Sequence, residues 1–213
     1  MRTWCMVLWL VLCGAAVGQA AERPNVVFIM VDDLGPFELS CLGNEVHQTP
    51  HVDRMAAEGI RFNQAYSGCC VCAPARSTLM TGLHTGHTTV RGNSGGIPLR
   101  AEDTTVAQVL AKAGYACGGF GKWGVGDAGT AGVPEKHGFD PFFGYYDQVH
   151  AHFYYPRYLW RSGVKVPLPG NARPVVDSRD RQAYREDKLF KGTQFSHHVI
   201  FDEAIRFIRD NRH

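Results

Sequence analysis

Cys72-Ala73-Pro74-Ala75-Arg76, continued by Ser77-Thr78-Leu79-Met80-Thr81-Gly82, brings a sulfur nucleophile, a helix start and a fixed cation into one short stretch. Proline is tolerated only in the first turn of a helix, so Pro74 puts Cys72 at or beside the N-cap. There the free backbone N–H groups and the positive dipole end favour negative charge on the sulfur. Arg76 projects from the same turn as a permanently charged fork suited to a tetrahedral oxyanion, and Gly82 offers the helix stop. Such a start also suits a buried thiol in an ordinary helix, so the rest of the chain has to separate catalysis from packing.

Length and composition set the frame. The chain has 213 residues, 45% of them hydrophobic, which suits one domain with a sizeable core. Its 22 Lys and Arg against 20 Asp and Glu call for neither nucleic acid nor an anionic membrane, so any anion recognition must be local. Residues 1–20 read as a secretory signal peptide: Arg2, an apolar run over 6–17, then the small residues of Gly18-Gln19-Ala20 at the cleavage positions. The mature chain, 21–213, is therefore expected to be exported, periplasmic or secreted. The apolar run is too short to span a bilayer, and no membrane span is predicted.

Cys5 and Cys13 fall in the signal, which leaves Cys41, Cys69, Cys70, Cys72 and Cys117. An odd number leaves at least one unpaired. Cys69, Cys70 and Cys72 are too crowded for a structural zinc site; Cys69 and Cys70 have Cys41 and Cys117 as available disulfide partners.

Outside the Cys72 segment the chain alternates strand and helix signals. Residues 25–31, Asn-Val-Val-Phe-Ile-Met-Val, form an unbroken apolar, β-rich run, the pattern of a central parallel strand covered on both faces. It stops at Asp32-Asp33. Thr49-Pro50 opens a helix to residue 58 with Gly59 as its stop and Asp53 favouring the dipole, and 60–66 reads as the next strand. After the Cys72 helix comes a Gly-rich stretch, then a helix over about 104–113. Asp103 is read as its cap, Gly114 as its stop, and Val106, Val109, Leu110 and Ala113 as its apolar face. Residues 115–120 read as a short strand delivering Gly121-Lys122-Trp123. From 138 to 174 the aromatic, Pro- and Gly-rich texture predicts an ordered loop over a site, and Ser196 caps a last helix to about 211. The alternation predicts an α/β fold with a mostly parallel sheet and helices on both faces, incomplete in this chain because another strand is due where it stops.

Three further constellations carry chemistry. Asp32-Asp33 ends the first predicted strand, the edge where open parallel sheets place ligands. Two adjacent carboxylates there repel unless a cation neutralises them, and all-oxygen ligation suits Ca²⁺ or Mg²⁺; turn and cap chemistry is the other reading. Lys122 sits at a strand end between glycines, where by itself it reads as a solvated turn residue. His150 and His152 flank Ala151 within the aromatic stretch, as candidate substrate contacts or as packing groups.

Order and spacing over residues 24–126 resemble the type I sulfatases. That family has a strand followed by Asp-Asp, a Thr-Pro helix like Thr49-Pro50-His51-Val52-Asp53, the Cys-x-Pro-Ser/Ala-Arg signature and a Gly-Lys-Trp-His-x-Gly element. The resemblance implies the alkaline-phosphatase-like α/β fold, with 21–213 as an N-terminal portion of the catalytic domain. It implies that Cys72 is oxidised to Cα-formylglycine by a formylglycine-generating enzyme that reads the pentapeptide. It further implies that Asp32, Asp33 and residue 72 hold Ca²⁺, that Arg76 steadies the formylglycine oxygen, and that Lys122 holds the sulfate. The expected activity is hydrolysis of an aryl or carbohydrate sulfate, with a sulfated small molecule or glycan as partner. A phosphonate or phosphate diester hydrolase of the same superfamily, or a truncated non-catalytic relative, is the alternative. Gly124 stands where the family has its histidine, which puts the proton-handling role of that position in doubt. Family members are also about twice this long or more and supply further metal ligands from later segments.

Overall fold

The computed structural model describes residues 23–35, 37–93, 97–171 and 192–212, and the signal reading of 1–20 lies outside them. The chain divides into two compact units, Met1–Asp33 and Leu34–His213.

In the first unit the described residues contain neither helix nor strand. Val26, Val27, Phe28, Ile29 and Val31 are 57 to 70% exposed. The central strand predicted over 25–31 is therefore not formed. A strand buried on both faces is stabilised only by what covers it, and the described residues do not cover this one.

The second unit is organised by a four-stranded sheet in the order β1 (Gly119–Lys122), β2 (Phe142–Tyr145), β3 (Tyr158–Arg161) and β4 (Val164–Pro167). β1 and β2 run parallel, with Gly119 opposite Phe142 and Lys122 opposite Tyr145; β2–β3 and β3–β4 are antiparallel. Every residue of β2 is buried. Alternation divides its side chains between two cores. Phe142, with Tyr146 just past the strand, packs with Ala73, Leu99, Trp123 and Val125; Phe143 and Tyr145 pack with Leu159, Leu168 and Ile200. Gly144 lets the parallel pair close up: at φ +152°, a Cβ there would lie 2.0 Å from the Gly121 carbonyl oxygen.

Three of the four strands thus come from the stretch predicted to be a loop. Each is only four residues long, and β2 is apolar on both faces, so neither length nor period-2 alternation marks it as a strand. The strand predicted over 115–120 begins later, at Gly119, and the one predicted over 60–66 is absent, its residues exposed.

Four α-helices complete the described residues: α1 (Pro50–Glu58), α2 (Cys72–Thr81), α3 (Val106–Lys112) and α4 (Ser196–Asp210). Helices reach both cores of the sheet, α2 through Ala73 and Met80 and α4 through Val199 and Ile200. α1 starts after Thr49 and ends at Gly59 as read, and Asp53 in its first turn accepts from Ser40 Oγ (2.8 Å), the Cys41 N–H (2.9 Å) and Thr49 Oγ1 (2.9 Å). α2 ends on Gly82 at φ +67°.

α3 is shorter than predicted. Its cap is Thr105, in a capping box with Gln108, and Asp103 instead accepts from Arg100 and Thr89. Its buried residue is Ala107, while Val106 and Val109 of the predicted apolar face are exposed. Ser196 is the first residue of α4, after Phe195 in the cap position. Cys41, Cys69, Cys70, Cys72 and Cys117 are all free thiols.

Candidate active site

Cys72 is the first residue of α2, and Val71 before it offers no side-chain cap. The orphan amide next along is satisfied from a distance: the Ala73 N–H donates to Asn93 Oδ1 at 3.0 Å. The same carboxamide reaches the sulfur, with Asn93 Nδ2 3.2 Å from Cys72 Sγ. A second carboxamide closes the other side, Gln148 Oε1 lying 3.4 Å from Sγ, and Gln148 Nε2 donates to the Asn93 carbonyl at 3.2 Å. Asn93 and Gln148 carry no local signal in sequence, because they lie 21 and 76 residues from the cysteine they touch.

Arg76 is 6% exposed, and its Nη1 donates to the backbone carbonyl of Lys122 at the end of β1. The helix is thereby tied to the strand that carries the lysine. Gly124 stands beside both. A Cβ on it would meet Arg76 Cδ at 3.2 Å and Lys122 Cε at 3.7 Å, and its own φ is +77°. The position where the resembled family has histidine therefore holds a left-handed backbone pressed on the arginine stem. A cavity of about 120 Å³ opens here, with Ala73, Gly124, Asp127, Thr130, Tyr146 and Gln148 among its lining residues.

His150 and His152 do not join this cluster through any contact to Cys72. The His150 ring lies 4.7 Å from that of Tyr158 and 5.0 Å from that of Tyr145. Burial pushes its pKa down to about 4, Asp147 opposing the fall and Lys165 adding to it. It is therefore a neutral ring at physiological pH. His152 is exposed on the same 3₁₀ turn, His150–His152.

Asp32 and Asp33 lie in the first unit and are exposed, Asp33 at φ +56°, a conformation that Asp enters more readily than most residues. As oxygen donors they have the chemistry a hard cation takes, but two carboxylates fall short of the six to eight oxygens Ca²⁺ commands. Among the described residues no three His, Cys, Asp or Glu side chains come together as a metal site. These residues alone do not complete a cation cage. Position 72 is different: carboxamide donor and acceptor atoms beside it suit a hydroxyl-bearing side chain, such as hydrated formylglycine, as well as they suit a thiol.

Several known sulfatases are similar to this chain. Human arylsulfatase A is 42% identical over 143 residues, covering 62% of this chain and 27% of the relative. The pig N-acetylgalactosamine-6-sulfatase is 36% identical over 154 residues, covering 66% and 29%. A solved sulfatase structure from a Bacteroides thetaiotaomicron locus for metabolism of multiple glycosaminoglycans superposes with a TM-score of 0.58 at 30% identity, over 68% of this chain and 32% of that one. The chain spans about a quarter of the length of the curated relatives it matches. The fold is alkaline-phosphatase-like, and the mixed sheet described here is part of it. The sulfatase family model matches residues 24–213, from the apolar run and its Asp-Asp end through the Cys72 helix and the Lys122 turn, and the chain belongs to the sulfatase family.

Proposed function

We propose that this chain carries the nucleophile-bearing part of a sulfuric ester hydrolase, with Cys72 as the precursor of the nucleophile and an aryl or carbohydrate sulfate as substrate. The observation that supports it is the placing of Cys72 at the first position of α2, between two carboxamides, beside a cavity whose wall at Gly124 touches both Arg76 and Lys122. The family is generally formylglycine- and divalent-cation-dependent. Formylglycine at position 72, made by an oxidase that removes the sulfur, supplies a hydrated aldehyde with one hydroxyl to attack the ester sulfur and another to expel sulfate.

The chain's own residues have separable tasks in this reading. The α2 amino end presents residue 72 where partial positive charge gathers. Arg76, buried, steadies the oxygen borne by residue 72, and Lys122 binds the sulfate and offsets the charge that grows as the S–O bond to the leaving alcohol breaks. Asp32 and Asp33 are the carboxylates we assign to the cation, Ca²⁺ before Mg²⁺, and residue 72 is assigned to it as well. His150 and His152 are assigned to the substrate side of the aromatic stretch, His150 as a neutral ring. Gly124 has no side chain with which to move a proton, so the leaving oxygen takes its proton elsewhere. Residues 1–20 export the chain, and the names of the relatives support sulfated small molecules and glycans as the partner class.

The test is mass spectrometry of the Cys72 peptide after coexpression with a formylglycine-generating enzyme. The aldehyde mass is expected; persistent thiol counts against the reading. Matched aryl sulfate and phosphate esters then separate sulfate from phosphate chemistry. For these residues alone we expect weak calcium binding and little hydrolysis, because the cation cage they offer is partial.

A further inference from the structure

Two hydrogen bonds at Cys72 have directions that their neighbours dictate. Asn93 Oδ1 accepts the Ala73 N–H at 3.0 Å, so the carboxamide cannot be turned round without leaving a helix-start amide unsatisfied. Its Nδ2 is thereby aimed at Sγ, 3.2 Å away, and donates. Gln148 is oriented in the same manner: its Nε2 donates to the Asn93 carbonyl at 3.2 Å, which leaves Oε1 toward Sγ at 3.4 Å as an acceptor. The thiol has one proton to give and a lone pair to receive with: Asn93 Nδ2 donates to it, and Gln148 Oε1 and, at 3.5 Å, Asn93 Oδ1 stand as acceptors, the latter already taken by the Ala73 N–H. Neither carboxamide titrates in the physiological range, so each keeps its own donor and acceptor atoms in place whatever the pH.

We propose that Asn93 and Gln148 are positioning residues, which fix the side chain at position 72 between donated and accepted hydrogen bonds, next to the cavity that Ala73 and Gln148 line. The hydrolytic purpose of that placing rests on the reading given under Proposed function; the clamp itself rests on the contacts. Asn93 does two things at once, capping α2 and orienting residue 72, and Gln148 couples the clamp to the turn that follows β2. A hydroxyl in place of the thiol inherits the same donor and acceptor.

Two measurements on the full chain test this, and neither needs turnover. In ¹⁵N-labelled protein, Cys72→Ala should shift the side-chain NH₂ resonances of Asn93 and Gln148 and leave those of Asn44 in place; unmoved Asn93 and Gln148 signals would overturn the clamp. Asn93→Asp separates orientation from capping, because the carboxylate still accepts the Ala73 N–H but has no donor for the sulfur. Iodoacetamide labelling at fixed pH, followed by peptide mass spectrometry, should then slow at Cys72 by about tenfold, since a carboxylate replaces a donor beside the thiolate. Cys41 and Cys70 in the same molecule should keep their rates. Wild-type labelling of Cys72 in Asn93→Asp would mean that Asn93 is a cap and nothing more. Failure of aldehyde formation or of sulfate hydrolysis would strike the proposed function and leave both readouts unaffected.

Discussion

The guanidinium of Arg76 donates to the backbone carbonyl of Lys122, joining the first turns of α2 to the last residue of β1. The guanidinium assigned to the oxygen on residue 72 is therefore held by the strand end that carries the lysine assigned to the sulfate.

Arg76→Met should remove that tie and keep most of the packing. A hydrogen bond from a charged donor contributes about 1.5–3 kcal/mol, and the Lys122 carbonyl loses this donor. Urea unfolding followed by circular dichroism should show a loss of that size; an unchanged midpoint would mean that the contact adds nothing to stability.

Gly124→Ala tests the left-handed position beside the arginine. A non-glycine residue in this conformation costs about 1–2 kcal/mol, and the new Cβ would sit 3.2 Å from Arg76 Cδ. The thermal midpoint should fall in proportion. Gly124→His should fall at least as far, so simply replacing the histidine of the family does not restore its role in this backbone.

His150 gives a pH dependence with a definite sign. Its folded pKa of about 4 lies below the ordinary 6.5, so the unfolded chain binds the extra proton between those values. Its contribution to stability is full above pH 6.5 and is lost as the pH falls through about 4, reaching up to about 3 kcal/mol. The difference in unfolding free energy between wild type and His150→Gln should change by that order between pH 7 and pH 4. A pH-independent difference would place the ring in water rather than between Tyr145 and Tyr158.

Thr105→Ala should cost about 1–2 kcal/mol, because it opens the capping box of α3 and deprives the His137 carbonyl of the Thr105 hydroxyl, 2.5 Å away. Thr105→Ser keeps both bonds and should recover most of the loss in the same thermal melt.

The helices at Pro50 and Cys72 were legible in the chain because their start and stop residues are local: Thr49-Pro50 with Gly59, Pro74 with Gly82. Asp103 misled for the same reason, being a good cap by type; it is engaged by Arg100 and Thr89, and the cap falls two residues on. β2 was hidden by its own burial, since Phe142 and Phe143 serve opposite cores and leave no alternation to read. At the site, Cys72, Arg76 and Lys122 could be picked out from motifs, while Asn93 and Gln148 act only through contacts that folding creates. The apolar run over 25–31 has a strand's composition without a covering layer among the described residues, and composition cannot supply the layer.

The distant cap on α2 has a kinetic consequence. Val71 offers nothing to the helix start, and Asn93, which does, must return across some twenty residues before the first turn is satisfied. In a chain still emerging or still unfolded, residues 72–76 therefore have little reason to coil early. The arrival of Asn93 is the event that ends this uncoiled interval.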